Sequence, residues 1–168
     1  MFAASTYTER RERLKRRIDE GVVVLMGNRE CPMNFPANVH PFRQDGSFLY
    51  FFGLDRPGLA ATIDLDTGEE RLYGDDATLD ELVWTGPRAS LAEEAGRAGV
   101  ADTRAHARLV DDLARAAGRG RSVHLLPQYR ADNMQLLGDA LDTHPARVNA
   151  HASAALRDAV IALRSVKS

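Results

Sequence analysis

The segment Gly21-Val22-Val23-Val24-Leu25-Met26-Gly27 limits most strongly what this chain can become. Branched valines favour extended backbone, and a continuous apolar run has no side it can turn to water. With a glycine at each end, it reads as a strand buried on both faces. Such a strand needs helices packed above and below its sheet. One domain can supply them, because 168 residues is an ordinary domain length.

The rest of the chain offers those layers. Residues 6–19 alternate charges with Leu14 and Ile18, which predicts a charged helix ended by Gly21. Thr6 and Glu9 have capping-box spacing at its start. Residues 28–46 carry Pro32, Pro36 and Pro41 and read as a long ordered loop. The aromatic run 47–54, SFLYFFGL, reads as a second buried strand. Leu59 to Leu65 and Glu69 to Tyr73 flank Asp66-Thr67-Gly68, a hairpin whose glycine can take positive φ. Short helices are expected from Thr78 to Val83 and from Ser90 toward Gly96 or Gly99, with an extended piece near Val100. Further helices are expected over 106–117, 131–142 and 152–167, with a strand at 122–127. Strands first, then alternating helices and strands, predict an α/β fold: a three-layer α/β/α domain on a mixed sheet.

Composition removes several classes of function. A net charge of −2 gives no field to attract nucleic acid or an anionic membrane. The basic run from Arg10 to Arg17 is interleaved with Glu9, Glu12, Asp19 and Glu20, so a solvated face with i,i+4 ion pairs is expected. Cys31 is the only cysteine, and no signal-type or membrane-spanning apolar run appears. A cytoplasmic protein is expected.

Catalytic motifs are also missing. There is no glycine-rich phosphate loop, HExxH pair, zinc-spaced cysteine set or GxSxG elbow. His40, His106, His124, His144 and His151 fall on different elements, so no metal site is expected in this chain. Asp64 and Asp66 have the types to hold Mg²⁺, but Asp66-Thr67-Gly68 is a turn sequence in its own right.

Residues 40–54, HPFRQDGSFLYFFGL, are more specific. Arg43 is a planar donor fork suited to carboxylates or carbonyls, with Gln44 and Asp45 as polar partners beside it. The order Pro-Phe-Arg-Gln-Asp-x-x-Phe-x-Tyr-x-x-Gly resembles the N-terminal domain of the creatinase, prolidase and aminopeptidase P family. Arg10-Arg11 and Leu14, GVVVLMG, VWTG at 83–86 and ALRSVKS at 162–168 agree with that family in order.

This resemblance implies a ribonuclease-H-like, non-catalytic N-terminal domain spanning 1–168, with a pita-bread catalytic domain outside this chain. It implies two divalent metals, manganese, in that other domain and none here. It further implies a C-terminal catalytic partner in the same polypeptide, a homo-oligomer and a proline-containing peptide substrate. Trp84 of VWTG is then the first substrate-contact candidate, followed by Arg43. Some aminopeptidase P enzymes place a carboxylate in the loop before the motif, whereas Cys31 to His40 contains no acid, leaving Asn34 or Asn38 as neutral substitutes. A free-standing binding or assembly domain of the same fold is the alternative.

Overall fold

The structure is a computed structural model that describes residues 2–166. Its strands are β1 (Val22–Met26), β2 (Pro32–Phe35), β3 (Asn38–Val39), β4 (Ala60–Asp64), β5 (Glu70–Tyr73), β6 (Asp102–Arg104) and β7 (Val123–Leu125). Its helices are α1 (Ala4–Lys15), α2 (Gly46–Phe52), α3 (Leu79–Thr85), α4 (Leu91–Arg97), α5 (Arg108–Gly118), α6 (Ala131–Ala140) and α7 (Ala154–Ser165). A 3₁₀ segment, Pro145–His151, precedes α7. Lys167, the last residue of the helix expected over 152–167, lies outside the described residues.

Five strands form one mixed sheet in the order β6-β5-β4-β1-β7. β1 pairs antiparallel with β4, Val24 opposite Thr62, and parallel with β7, Val24 opposite Leu125. β5 pairs antiparallel with β4 and parallel with β6. The β4–β5 hairpin turns as expected, with Gly68 at φ +77°.

β1 is buried along its whole length, and its side chains divide by the strand period of two. Val23 and Leu25 pack with Leu14, Phe48, Phe51, Leu156 and Leu163 on one face. Val22, Val24 and Met26 pack with Leu109, Leu113, Leu137 and Val148 on the other. Helices therefore cover both faces of the sheet, and the three-layer reading stands.

Residues 47–54 correct the expectation of a strand, because Gly46–Phe52 is helical. A continuous apolar run has no periodic contrast, so strand and helix look alike in it. The ends decide. Asp45 Oδ1 accepts from the Ser47 and Phe48 amides at 2.8 and 3.0 Å, capping the first turn. Gly53 closes the helix in the left-handed region at φ +68°, where a Cβ would lie 2.0 Å from the Tyr7 ring. Phe48, Phe51 and Phe52 then fall on one buried stripe, while Leu49 points outward.

Three smaller expectations also change. α1 starts at Ala4 with no side-chain cap, so Thr6 and Glu9 form no capping box, and it ends at Lys15, well before Gly21. The 28–46 loop contains the β2–β3 hairpin. The basic run is only partly a solvated face: Arg13 pairs with Glu9 on the outside, but Arg10 and Arg11 are buried. Arg11 donates to the Phe51 and Ala98 carbonyls, both at 2.9 Å, and to Glu70 at 2.8 Å. It ties α1 to α2, β5 and the end of α4.

Candidate functional site

Two projections leave this core near each other, the 28–46 segment and α3. Between their bases lies an open groove of about 430 Å³, whose lining includes Arg29, Glu30, Thr78, Glu81, Arg88 and His106.

α3 forms because its ends are chemically complete. The Thr78 hydroxyl accepts from the Glu81 amide, and the Glu81 carboxylate accepts from the Thr78 amide at 2.7 Å, a reciprocal capping box. Gly86 ends the helix at φ +78°. None of its described side chains is buried, and only Leu82 is partly covered. Leu79, Val83 and Trp84 are 82%, 79% and 88% exposed. Trp84 is therefore not a core tryptophan. It stands on the solvent side of a locally well-formed helix.

The base of the 28–46 segment is fixed by one buried amide. Gln44 Oε1 accepts from the Asn28 and Asp45 amides at 2.7 and 2.9 Å. Its Nε2 donates to the Leu54 and Arg56 carbonyls at 3.3 and 2.8 Å. Asn28 Nδ2 also donates to the Arg43 carbonyl at 2.8 Å. Arg43 thus takes part through its backbone. Its guanidinium is exposed and has no hydrogen bond or ion pair among the described residues. Farther out, Asn38 Nδ2 donates to Asn34 Oδ1 at 2.8 Å across the hairpin, and Met33 and Phe35 are exposed.

The groove floor is rigid and charged. Arg56 pairs with Glu94 at 2.8 Å and also donates to the Asp75 carbonyl. The His106 amide donates to Asp75 Oδ1 at 3.0 Å, and Arg29 Nη2 lies 3.2 Å from both ring nitrogens. Burial, reinforced by the Arg29 charge, pushes the His106 imidazole below its ordinary pKa. Both effects favour the neutral form of the ring.

No described contact joins Trp84, Arg43 and Asn38 to one another. Trp84 belongs to one projection, Arg43 and Asn38 to the other, and the groove between them is lined by their neighbours. Gln44 and the Arg29–His106 pair carry geometry that the sequence reading did not assign. The motif around Gln44 was visible, but the partners of Arg29 and His106 lie far apart in the chain.

Asp64 and Asp66 hold an arginine. Asp64 Oδ1 and Oδ2 take Arg121 in a bidentate pair at 2.7 and 2.8 Å, and Asp66 also pairs with it. Hydrogen bonding from Arg121 holds the Asp64 carboxyl down at about 2, well below the usual carboxylate range. Asp64 also accepts from the Asp66 and Thr67 amides, which closes the turn. Among the described residues, no group of three or more His, Cys, Asp or Glu is placed to hold a metal ion.

Comparison with known proteins agrees with this architecture. A family model described as the aminopeptidase P N-terminal domain matches residues 7–125. The chain belongs to that family. A probable Xaa-Pro aminopeptidase of Blastomyces gilchristii is 28% identical over 153 residues, covering 84% of this chain and 30% of that protein. One of Penicillium rubens is 31% identical over 93 residues, covering 55% and 18%. Among solved structures, aminopeptidase P from E. coli in its low-pH form superposes with a TM-score of 0.71 at 19% identity, over 84% of this chain and 33% of that one. That likeness is one of fold. The chain spans about a third of the length of these relatives in the longer matches.

Proposed function

We propose that this chain is the non-catalytic N-terminal domain of a cytoplasmic Xaa-Pro aminopeptidase, shaping the substrate cleft and mediating subunit association. The observation that carries this reading is α3, a rigidly capped helix presenting Leu79, Val83 and Trp84 to solvent. Exposing three large apolar side chains on one short helix is unfavourable unless another surface covers them. A tryptophan presented this way is suited to line the apolar part of a peptide site, its ring offering a large apolar face and a polar N–H edge. On the other projection, the exposed Arg43 guanidinium is available to a substrate carboxylate or carbonyl. Asn38 supplies a neutral hydrogen-bonding group beyond it. The named relatives, probable Xaa-Pro aminopeptidases, support a proline-containing peptide as the substrate.

In this reading the reaction belongs to a C-terminal domain of the same polypeptide, which would carry two divalent metals, manganese. The described residues of this chain do not fit such a metal pair, because their acids and histidines do not converge. They contribute binding, orientation and exclusion of water.

The test compares the 168-residue chain with the polypeptide of full relative length. The chain with Mn²⁺ should release no first residue from an Xaa-Pro peptide, whereas the longer polypeptide should. In the longer polypeptide, Trp84→Ala should lower kcat/KM by roughly tenfold or more, as expected for loss of an aromatic anchor. Hydrolysis by the short chain, or an unaltered kcat/KM in the Trp84→Ala enzyme, would count against the proposal.

A further inference from the structure

β1 and β7 are parallel neighbours that send the chain to opposite faces of the sheet. After β1 the chain reaches α2, whose phenylalanines pack with Val23 and Leu25. After β7 it reaches α6, whose Leu137 packs with Val24. In open α/β sheets, a crevice opens at the carboxyl ends of strands where the connections diverge in this way, and ligands bind there. This molecule has such a crevice, with a volume of about 230 Å³.

Its walls have a definite chemistry. Leu126, Val160 and Ile161 supply apolar surface. Tyr129 supplies a ring that is 67% exposed yet fixed, its hydroxyl bonding Asn28 Oδ1 and Asp45 Oδ2, each at 3.1 Å. Asn133, 95% buried by its 5% exposure, adds an amide whose one described side-chain bond is a long 3.4 Å contact to the Gly27 carbonyl. Among the described residues lining the crevice, the only charged side chains are Asp45 and Arg157, one of each sign. Arg157 is 56% exposed, and its ion pair with Asp158 is between solvent-facing groups. Such a pair is weak and is readily exchanged for a ligand.

We infer that this crevice is a binding site for a small zwitterion of amino-acid size with an apolar side chain. Arg157 would receive the carboxylate, Asp45 the ammonium, and the Val160–Ile161 wall the side chain. The balanced charge disfavours a simple anion or cation, and the volume falls below the roughly 300–1,000 Å³ typical of sites for larger molecules. Asp45 also caps α2 and Asn28 anchors the 28–46 segment, so an occupant would bear on both.

L-leucine titrated into the isotope-labelled chain and followed by NMR tests the site. Saturable shifts should appear at the amides of Asn28, Tyr129 and Ile161. Leucinamide, lacking the carboxylate, and N-acetylleucine, lacking the ammonium, should each bind at least about tenfold more weakly, as expected when a charge-assisted contact is lost. Arg157→Gln, a change on an exposed side chain, should weaken leucine by a similar factor and leave leucinamide unchanged. Asp45→Asn retains a capping side chain and should weaken leucine while leaving N-acetylleucine unchanged. Absence of saturable shifts with leucine would overturn the inference. So would equal binding of the three ligands, leucine binding unaffected by Arg157→Gln, or inorganic phosphate binding as tightly as leucine.

Discussion

α2 and α3 are both seven residues long, and they make an instructive pair. Each is capped at its start by a side chain, Asp45 for α2 and Thr78 for α3. Each ends on a glycine at positive φ, Gly53 at +68° and Gly86 at +78°. Each carries aromatic or branched apolar residues. Their local chemistry is nearly the same, but α2 buries Ser47, Phe48, Phe51 and Phe52, while no described residue of α3 is buried. Local signals decide that a segment is helical, and the surrounding packing decides whether it joins the core or stays exposed. A short isolated helix is marginal in water, so the capping box of α3 does more of the work that the core does for α2.

The contrast can be broken by substitution. The largest effect should come from Phe51→Ala, which empties a fully buried site and should cost about 3–5 kcal/mol in denaturant unfolding. Leu79→Ala on α3 should stay within about 0.5 kcal/mol. An equal cost at both positions would show that α3 is part of the core.

Next come the closing glycines. Gly53→Ala drives a methyl into Tyr7, adding overpacking of about 1–3 kcal/mol to a backbone cost of about 1–2 kcal/mol. At Gly86, where φ is +78° and ψ 178°, the new methyl meets nothing within 4 Å, so only a backbone cost of about 1–3 kcal/mol, local to α3, is expected. Thermal unfolding reads the cost at Gly53, and hydrogen exchange of the α3 amides reads the cost at Gly86.

The caps should differ in where their loss is felt. Asp45→Ala should lower global stability by about 1 kcal/mol. Thr78→Ala should instead leave Tm unchanged and speed hydrogen exchange of the α3 amides, because α3 can open without the core.

The smallest effect is one of pH. Hydrogen bonds from the Thr78 amide and hydroxyl hold the Glu81 carboxyl below its ordinary pKa. A group with a depressed folded pKa contributes above its unfolded value and loses that contribution as pH falls through its folded value. Protection of α3 amides should therefore decline in that acidic range before the α2 amides respond. Simultaneous loss at both helices would mean that α3 does not open on its own.

The layered sheet was legible because several signals agreed. The β1 run, the hairpin glycine and the helical spacing of Leu109 and Leu113 all pointed to the same arrangement. α2 was misread because apolar residues occupy nearly every position of 48–52, which removes the periodic contrast that separates strand from helix. Asp45 and Gly53 held the missing information, and only their capping geometry reveals it. Arg11 was misread for another reason. Its acceptors at Phe51 and Ala98 lie 40 and 87 residues away in sequence, and burial of that kind follows from tertiary packing. At the candidate site, Trp84 was legible as a residue, but its exposure was not. A lone tryptophan looks the same in sequence whether it fills a core or stands on a surface.

That exposure has an optical consequence. Trp84 is the only tryptophan in the chain, and its indole already faces water in the native state. Its emission should thus begin red-shifted and change little when the sheet melts, so it would be a poor reporter of denaturation. A blue shift on mixing with another macromolecule would instead signal that the α3 surface has been covered.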